Sequence, residues 1–152
     1  MCEYCGCQEI AAISELTREH DAVVNLIGQV RSAYARADRA AMADLARDIA
    51  TVLGPHTAVE EHGLFPALAT DFAEQIAALE AEHRHVDAVL AEAAAGVPAD
   101  PGWPLRLIEA LATLREHILK EQDGVFPAAL AMLGTEEWAV VEAVRTNIHI
   151  GH

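Results

Sequence analysis

The sequence predicts an all-α fold: an up-down-up-down four-helix bundle with a short C-terminal helix and a pseudo-two-fold internal repeat. The chain of 152 residues is 53% hydrophobic but only 5% aromatic, and this Ala- and Leu-rich composition favours packed helices over strands. Apolar residues recur at helical spacing almost throughout. One motif also occurs twice, which indicates two helical hairpins of the kind that build bundles.

The elements follow in chain order. Residues 1–8 are predicted to be a cysteine-containing segment, residues 9–134 a single bundle domain, and residues 135–152 a short helix and tail. The first helix is expected from about Glu9 to Ala37 and the second from about Arg39 to Pro66, because each carries a continuous apolar stripe.

The third helix is expected to begin after Asp71, since Asp71 and Glu74 have the spacing of a capping box. It should end at the loop GVPADPGWP, residues 96 to 104. Pro104 is suited to open the fourth helix, because the backbone N–H that proline lacks would have no hydrogen-bond partner in the first turn of a helix.

Two Phe-Pro pairs and one glycine divide the remainder. The pairs at 65–66 and 126–127 mark kinks or helix ends, because a proline breaks the backbone hydrogen-bond ladder. Gly134 ends the fourth helical region, and the short last helix is expected from Thr135 to about Asn147.

Composition and charge exclude several functions. With 24 acids against 10 bases the net charge is −14, and a field of that sign repels nucleic acids. No apolar run approaches the roughly 18 residues of a membrane span, and the start MCEYCGCQE lacks the basic residues and apolar stretch of a secretory signal. We therefore expect a cytoplasmic protein, a monomer or weak dimer that binds neither nucleic acid nor membrane.

One motif is repeated in the two halves of the chain. Residues 53–68 read LGPHTAVEEHGLFPAL and residues 114–129 read LREHILKEQDGVFPAA; each contains His-x-x-x-Glu followed by Gly, an aliphatic residue, Phe and Pro. A further histidine follows a glutamate upstream of each copy. The repeat supplies six candidate metal ligands, and no separate catalytic residue is expected: His20, His56, Glu60, His83, His117 and Glu121.

These residue types at this spacing are typical of a metal site. Positions i and i+4 of a helix lie about 40° apart around its axis and about 6 Å apart along it, so the His and Glu of each motif reach toward one point. A buried carboxylate costs several kcal/mol unless it is paired or bound to a cation. Four imidazoles and two carboxylates converging in a core suit a pair of bridged transition-metal ions such as iron, whereas ordinary polar residues without metal are the simpler alternative.

The neighbouring polar residues receive different predictions. His62 and His85 lie two residues past a candidate ligand, about 200° round the helix, and should face solvent. Glu61 is placed to orient a ligand imidazole from outside the site, and its counterpart in the second copy is Gln122.

The three cysteines form a second, weaker pattern. Cys2, Cys5 and Cys7 all lie close to the N-terminus and cannot staple the fold. They suit a soft-metal site with one outside ligand, a redox-active terminus or a disordered one. His149 and His152 are expected in a frayed tail, with completion of such a metal site as the alternative.

The doubled motif, with its LFP and VFP ends and its upstream histidines, resembles the hemerythrin-like family, the proteins with an HHE cation-binding domain, over roughly residues 10–130. The resemblance implies a non-haem di-iron centre inside the bundle, with an oxo or hydroxo group between the irons; manganese and zinc stay open. It also implies the ligands by position: His20 and His56 for one iron, His83 and His117 for the other, and Glu60 and Glu121 as bridges.

The chain departs from the oxygen-carrying members of that family. They have two histidines four residues apart on the third helix, whereas Leu79 and Asp87 flank His83 at that distance. Gln122 occupies the position of their second bridging carboxylate. A missing imidazole leaves a coordination position open to water or a small molecule unless an acid fills it, and three are candidates: Asp87, Glu82 and Glu61.

The resemblance and this departure together predict a protein that binds and reacts with small oxidants, namely hydrogen peroxide, oxygen or nitric oxide. Peroxide disproportionation, a catalase-like activity, would need only the two metal ions and no acid–base pair. The alternative is an oxygen, redox or nitric-oxide sensing or binding module without turnover. A structural bundle or an iron store is a third interpretation, although nothing in the sequence indicates the large cavity and many subunits of a store.

Overall fold

The computed structural model describes the backbone of residues 6–150 and the side chains of residues 11–148. All regular elements in that part of the chain are helices, so the predicted all-α class is confirmed. The predictions for the cysteines and the C-terminal histidines concern side chains outside the described residues: Cys2, Cys5, Cys7, His149 and His152.

Four long helices form the body of the described fold: α1 (Gly6–Ala35), α2 (Arg39–Val59), α3 (Phe65–Ala91) and α4 (Trp103–Lys120). Single π-helical turns follow α2 and α4, namely π1 (Glu60–Leu64) and π2 (Glu121–Val125). Two shorter helices come after π2, namely α5 (Phe126–Met132) and α6 (Thr135–Ile150). Helix α1 packs chiefly against α2, and α3 against α4. Helix α6 contacts π1, α2 and α1.

The turn between α1 and α2 shows why the second helix begins where the sequence predicts. Ala37 adopts a left-handed conformation with φ 55°, which redirects the chain. The Asp38 carboxylate then accepts a hydrogen bond from the backbone N–H of Ala41 at 3.0 Å and caps α2. The guanidinium of Arg39 donates to the carbonyl of Pro98 at 3.1 Å and ties this end of the fold to the loop between α3 and α4.

Two predicted helix boundaries are wrong. The helix expected to reach Pro66 ends at Val59, and Pro66 lies in the first turn of α3. Helix α3 does not start after Asp71 but at Phe65, and it has a kink at Phe72, where φ is −132° and ψ is 40°. The capping-box pattern therefore marks a bend inside the helix, because the apolar residues before it are buried in the same core as those after it.

The other boundaries lie close to the predictions. Helix α3 ends at Ala91, shortly before the expected loop, and Pro104 lies in the first turn of α4 as predicted. The chain is extended at Leu133, after which α6 begins at Thr135 and continues to Ile150.

The buried apolar residues form two clusters with a polar layer between them. The first cluster contains residues from all four long helices, among them Val23, Leu53, Val86 and Leu114. The second contains a further set, among them Leu16, Val59, Leu79 and Phe126. Each long helix carries one buried histidine at the junction of the clusters: His20, His56, His83 and His117. The core therefore holds a layer of imidazoles with apolar side chains above and below it.

Candidate metal centre

Six buried polar side chains meet in this layer. Each long helix contributes one histidine, and each π-helical turn begins with one glutamate. All six are at most 2% exposed: His20, His56, Glu60, His83, His117 and Glu121. Burial of these groups in an apolar core is tolerable only when they are paired with one another or with a cation.

The π-helical turns position the two glutamates. In π1 the backbone N–H of Phe65 donates to the carbonyl of Glu60, and in π2 the N–H of Phe126 donates to the carbonyl of Glu121. A proline follows each phenylalanine; it has no N–H, and its ring crowds the carbonyl four residues earlier. A wider turn relieves both problems. Each Phe-Pro pair therefore marks a junction between helical segments, directly behind a candidate ligand.

The six side chains form two groups that share both glutamates. One group contains His20 and His56, the other His83 and His117, and each includes Glu60 and Glu121. Within each group the possible ligand atoms all lie within 4.8 Å of one another. This grouping is the one that the resemblance implies.

Each glutamate directs one oxygen to each group. For Glu121, Oε1 lies 2.8 Å from Nε2 of His20, and Oε2 lies 2.9 Å from Nε2 of His117. For Glu60, Oε2 lies 3.1 Å from Nε2 of His56, and Oε1 lies 3.2 Å from Nε2 of His83. Each carboxylate therefore spans the two groups, with one oxygen toward each.

Three of these atoms have short contacts without satisfactory hydrogen bonds. Both carboxylate oxygens of Glu60 and Nε2 of His83 are buried and have no hydrogen-bond partner within the described part of the chain, although Oε1 and Nε2 lie 3.2 Å apart. Buried polar atoms are rarely left unsatisfied. Atoms that approach one another without aligning are suited to a cation between them, and imidazole nitrogens with carboxylate oxygens are a donor set for transition metals. The residues therefore fit a metal centre.

A second set of polar side chains holds the outer nitrogen of every imidazole. The Nδ1 atoms of the four histidines each have one partner, at 2.8 to 3.0 Å: Gln122 for His20, Glu19 for His56, Glu61 for His83 and Glu82 for His117. When the imidazole is neutral, an Nδ1–H that donates to an oxygen leaves Nε2 with its lone pair, facing the centre. This is the tautomer that a metal ligand requires, and such outer partners also fix the ring orientation.

The sequence predicts only part of this outer set. The orienting role of Glu61 agrees with the prediction, whereas the same role of Glu19, Glu82 and Gln122 is evident only in the structure. The available signal was the glutamate immediately before each upstream histidine. This signal is easily misread, because Glu19 and His20 point in different directions from α1. Glu19 bonds His56 on α2, not the adjacent His20.

The three acids considered for the missing coordination position do not join the groups. Glu61 and Glu82 bond the outer nitrogens of His83 and His117, on the side away from the centre. Asp87 is exposed. Among the described residues, neither group contains any of the three.

Charges of opposite sign reinforce one another in the layer. Burial lowers the pKa of the His83 imidazole, but the hydrogen bond and charge of Glu60 outweigh burial and raise it to about 9. Burial also lowers the pKa of His56, which the surrounding carboxylates raise well above its usual value. Burial raises the pKa of Glu121, yet hydrogen bonds from imidazoles, first that of His117, hold it well below its ordinary range. Protons and a metal ion therefore compete for the same nitrogen atoms.

The Phe and Gly of the motif also have structural reasons. The ring of Phe65 stacks on His83 with centroids 5.8 Å apart, and that of Phe126 stacks on His20 at 5.3 Å. A Cβ added to Gly63 would lie 3.2 Å from the Cα atom of Val141, so a larger residue there would require α6 to shift by a few tenths of an ångström. Aromatic rings and a close helix contact thus enclose the site.

The predictions for His62 and His85 agree with the structure, because both side chains are exposed. Within residues 6–150, none of the helices is both long enough and apolar enough to cross a bilayer.

Fold and site together define an all-helical protein with a buried His/Glu site that fits metal cations. The sequence matches the Hemerythrin HHE cation binding domain over residues 11–129, and the chain belongs to that family. Searches among curated proteins and among solved structures gave no significant match.

Proposed function

We propose that this chain is a non-haem di-iron protein that binds and reacts with small oxidants: hydrogen peroxide, oxygen or nitric oxide. The sharing of both glutamates between two histidine pairs carries the proposal, because a carboxylate with one oxygen toward each pair suits a bridged pair of ions, and this donor set suits iron. The proposed ligands are His20 and His56 for one ion, His83 and His117 for the other, and Glu60 and Glu121 for both.

When bound, two iron ions would supply the redox chemistry, so the chain needs no acid–base pair of its own. The role of the protein chain is to fix the geometry of the ligands. The four outer hydrogen bonds hold neutral imidazoles with Nε2 toward the centre. The rings of Phe65 and Phe126 cover His83 and His20, which limits the approach of water.

We also propose that the two copies of the motif form equivalent halves of the centre, related by a pseudo-two-fold axis in an up-down-up-down bundle. Two observations support this equivalence. A π-helical turn begins at the glutamate of each copy and is followed by Phe-Pro. The glutamate before each upstream histidine bonds the motif histidine of its own half: Glu19 with His56, and Glu82 with His117.

Iron content and absorption test the proposed site. The chain loaded with ferrous iron and then exposed to air should hold two iron ions and show the near-ultraviolet bands of an oxo-bridged ferric pair. A single ion per chain, or iron without those bands, would contradict the bridged centre.

Peroxide distinguishes turnover from binding. If the function is catalase-like, adding hydrogen peroxide to the iron-loaded chain should release oxygen in large excess over protein. A spectral change that stops after one equivalent, without released oxygen, would contradict turnover.

Sensing without turnover is the second candidate, and the packing of α6 favours it. The π1 turn carries Glu60 at its start and Gly63 in close contact with Val141 of α6. A ligand or redox change that moves Glu60 would therefore reach α6 directly. Under this function, amide hydrogen exchange in α6 should change when nitric oxide binds, and unchanged exchange there would contradict it.

A further inference from the structure

An apolar cavity of about 470 Å³ opens beside the polar layer. Its apolar walls come from α3, π2 and α5: Leu68, Phe72, Ile76, Leu79, Val125 and Ala128. This volume lies within the range of small-molecule sites, roughly 300 to 1,000 Å³. The cavity has no part in the metal centre as described above.

Two of the wall segments also carry proposed metal ligands. Leu79 lies one helical turn before His83 and is only 3% exposed. Val125 and Gly124 lie in π2, the turn that begins with Glu121. The cavity therefore approaches the centre along two elements at once.

Leu79 links the cavity to the helix face that carries His83, because residues four apart on a helix lie on one face. It lines the cavity, and it belongs to the apolar cluster that contains Phe65 and Phe126. The rings of those two phenylalanines stack on His83 and His20. Movement of the Leu79 side chain would therefore extend the cavity toward the face of α3 that carries His83.

The lining favours an apolar ligand. Besides the apolar side chains, the walls contain two polar residues, Gln75 and Lys120. The ammonium group of Lys120 donates to Glu82 at 2.8 Å. Hydrogen peroxide gives up hydrogen bonds to water when it enters such a space, and that loss is costly. Oxygen and nitric oxide give up almost none, so transfer from water favours them.

We propose that this cavity binds an apolar diatomic molecule, oxygen or nitric oxide, and delivers it to the metal centre past Leu79. The delivery step rests on the proposed function, whereas the binding of an apolar ligand in the cavity does not. Hydrogen peroxide does not use this route.

The chain offers a matched pair of variants. A Cβ at Gly124, in the cavity wall, would meet no heavy atom within 4 Å, and the same holds for Gly28 on α1, outside the cavity. Gly124→Leu therefore adds a bulky side chain at the cavity wall, where its Cβ meets no atom, and Gly28→Leu adds the same side chain elsewhere. Ala128→Phe fills the cavity from a different wall if the π2 turn does not accept leucine.

Xenon tests the cavity independently of iron, because apolar cavities take up this atom. Crystals of the full chain under xenon pressure should contain xenon against Leu79 and Ile76. The atom should persist in Gly28→Leu and disappear from Gly124→Leu or Ala128→Phe. A cavity without xenon overturns the proposal. If the chain binds no iron, the proposed function fails, yet the xenon result still decides the binding claim.

Stopped-flow mixing tests delivery. Association of nitric oxide with the ferrous protein should slow several-fold in Gly124→Leu, stay unchanged in Gly28→Leu, and become faster in Leu79→Ala. Ala128→Phe, which lies outside the π2 turn, should slow nitric oxide likewise, and its rate of reaction with hydrogen peroxide should equal that of the wild type. Equal nitric-oxide rates in the two leucine variants, or an equal slowing of peroxide, overturns the delivery route.

Discussion

The two halves of the proposed metal centre have the same inner residues but different outer partners. In the first half the partners of the imidazoles are one carboxylate and one amide: Glu19 on His56 and Gln122 on His20. In the second half both are carboxylates: Glu61 on His83 and Glu82 on His117. The second half also borders the apolar cavity through Leu79.

This difference shows that the inner and outer sets obey separate requirements. Under the proposed function, the inner set would supply two nitrogens and the shared carboxylates to each ion, and its residues are the same in both halves. The outer set adjusts how strongly each imidazole attracts a proton or a metal, because a carboxylate partner increases ligand basicity more than an amide does. Lys120 adds a further adjustment in the second half: burial raises the pKa of Glu82, but the bond from Lys120 lowers it below its usual value.

Removal of a shared carboxylate should have the largest effect, because it affects both halves. Glu60→Ala and Glu121→Ala should each lose nearly all bound iron, and the iron-dependent part of the stability to heat should disappear. Glu116→Ala, an exposed change next to His117, is the control. Iron content by elemental analysis and thermal unfolding measure the outcome; full iron content in either variant would remove that glutamate from the site.

Removal of one motif histidine should affect one half only. His56→Ala and His117→Ala should each lower the iron content by about one ion per chain, because the other histidine pair and both glutamates remain. The exposed His62→Ala serves as control. Loss of both ions from either variant would show that the halves cannot fill separately, which would break the comparison.

Exchange of the outer partners should alter affinity without removing a ligand. Glu61→Gln gives the second half the amide of the first, and we expect its metal affinity to fall by about 10-fold. Gln122→Glu should raise affinity in the first half. Competition with a chelator measures both values. Identical affinities in wild type and Glu61→Gln would show that the outer carboxylate does not tune the ligand.

The metal-free protein should lose stability as the pH rises through the pKa of His83. That pKa is about 9 in the folded chain against 6.5 in the unfolded one, so the ion pairs of His83 stabilise fully below pH 6.5 and are lost above about 9. Urea unfolding in the presence of a chelator, between these two pH values, measures the decline. It should be smaller in Glu61→Gln. Stability that rises over this range would contradict the assigned protonation.

The metal-loaded protein should respond to pH in the opposite sense. A bound ion requires neutral imidazoles, so metal affinity should increase as the pH rises toward 9. Chelator competition at several pH values checks this, and affinity independent of pH would contradict proton competition at these nitrogens.

The smallest effect is expected from Lys120→Met. The Lys120 side chain is 55% exposed, and an exposed ion pair contributes at most about 1 kcal/mol to the free energy of unfolding. Arg36→Met, which removes the similarly exposed ion pair between Arg36 and Asp38, is the matched control. A markedly larger loss for Lys120→Met, measured by urea unfolding, would show that Glu82 depends on this lysine to hold His117.

The sequence by itself determined the helical class and the six inner residues. Both follow from local rules, since the spacing of apolar residues reports helices, and His and Glu four residues apart share one helix face. The start of α2 and the junctions at the Phe-Pro pairs also follow from local backbone chemistry.

Only the tertiary structure decided which imidazole each outer partner bonds and how the helices run around the site. Adjacent residues on a helix point about 100° apart, so Glu19 reaches His56 on the neighbouring helix while His20 turns inward. The same applies to Gln122, whose amide meets His20 from a segment distant in sequence. The continuation of α3 past Asp71 depended on burial in the shared core. Contacts between helices depend on their packing, and no spacing within one segment encodes them.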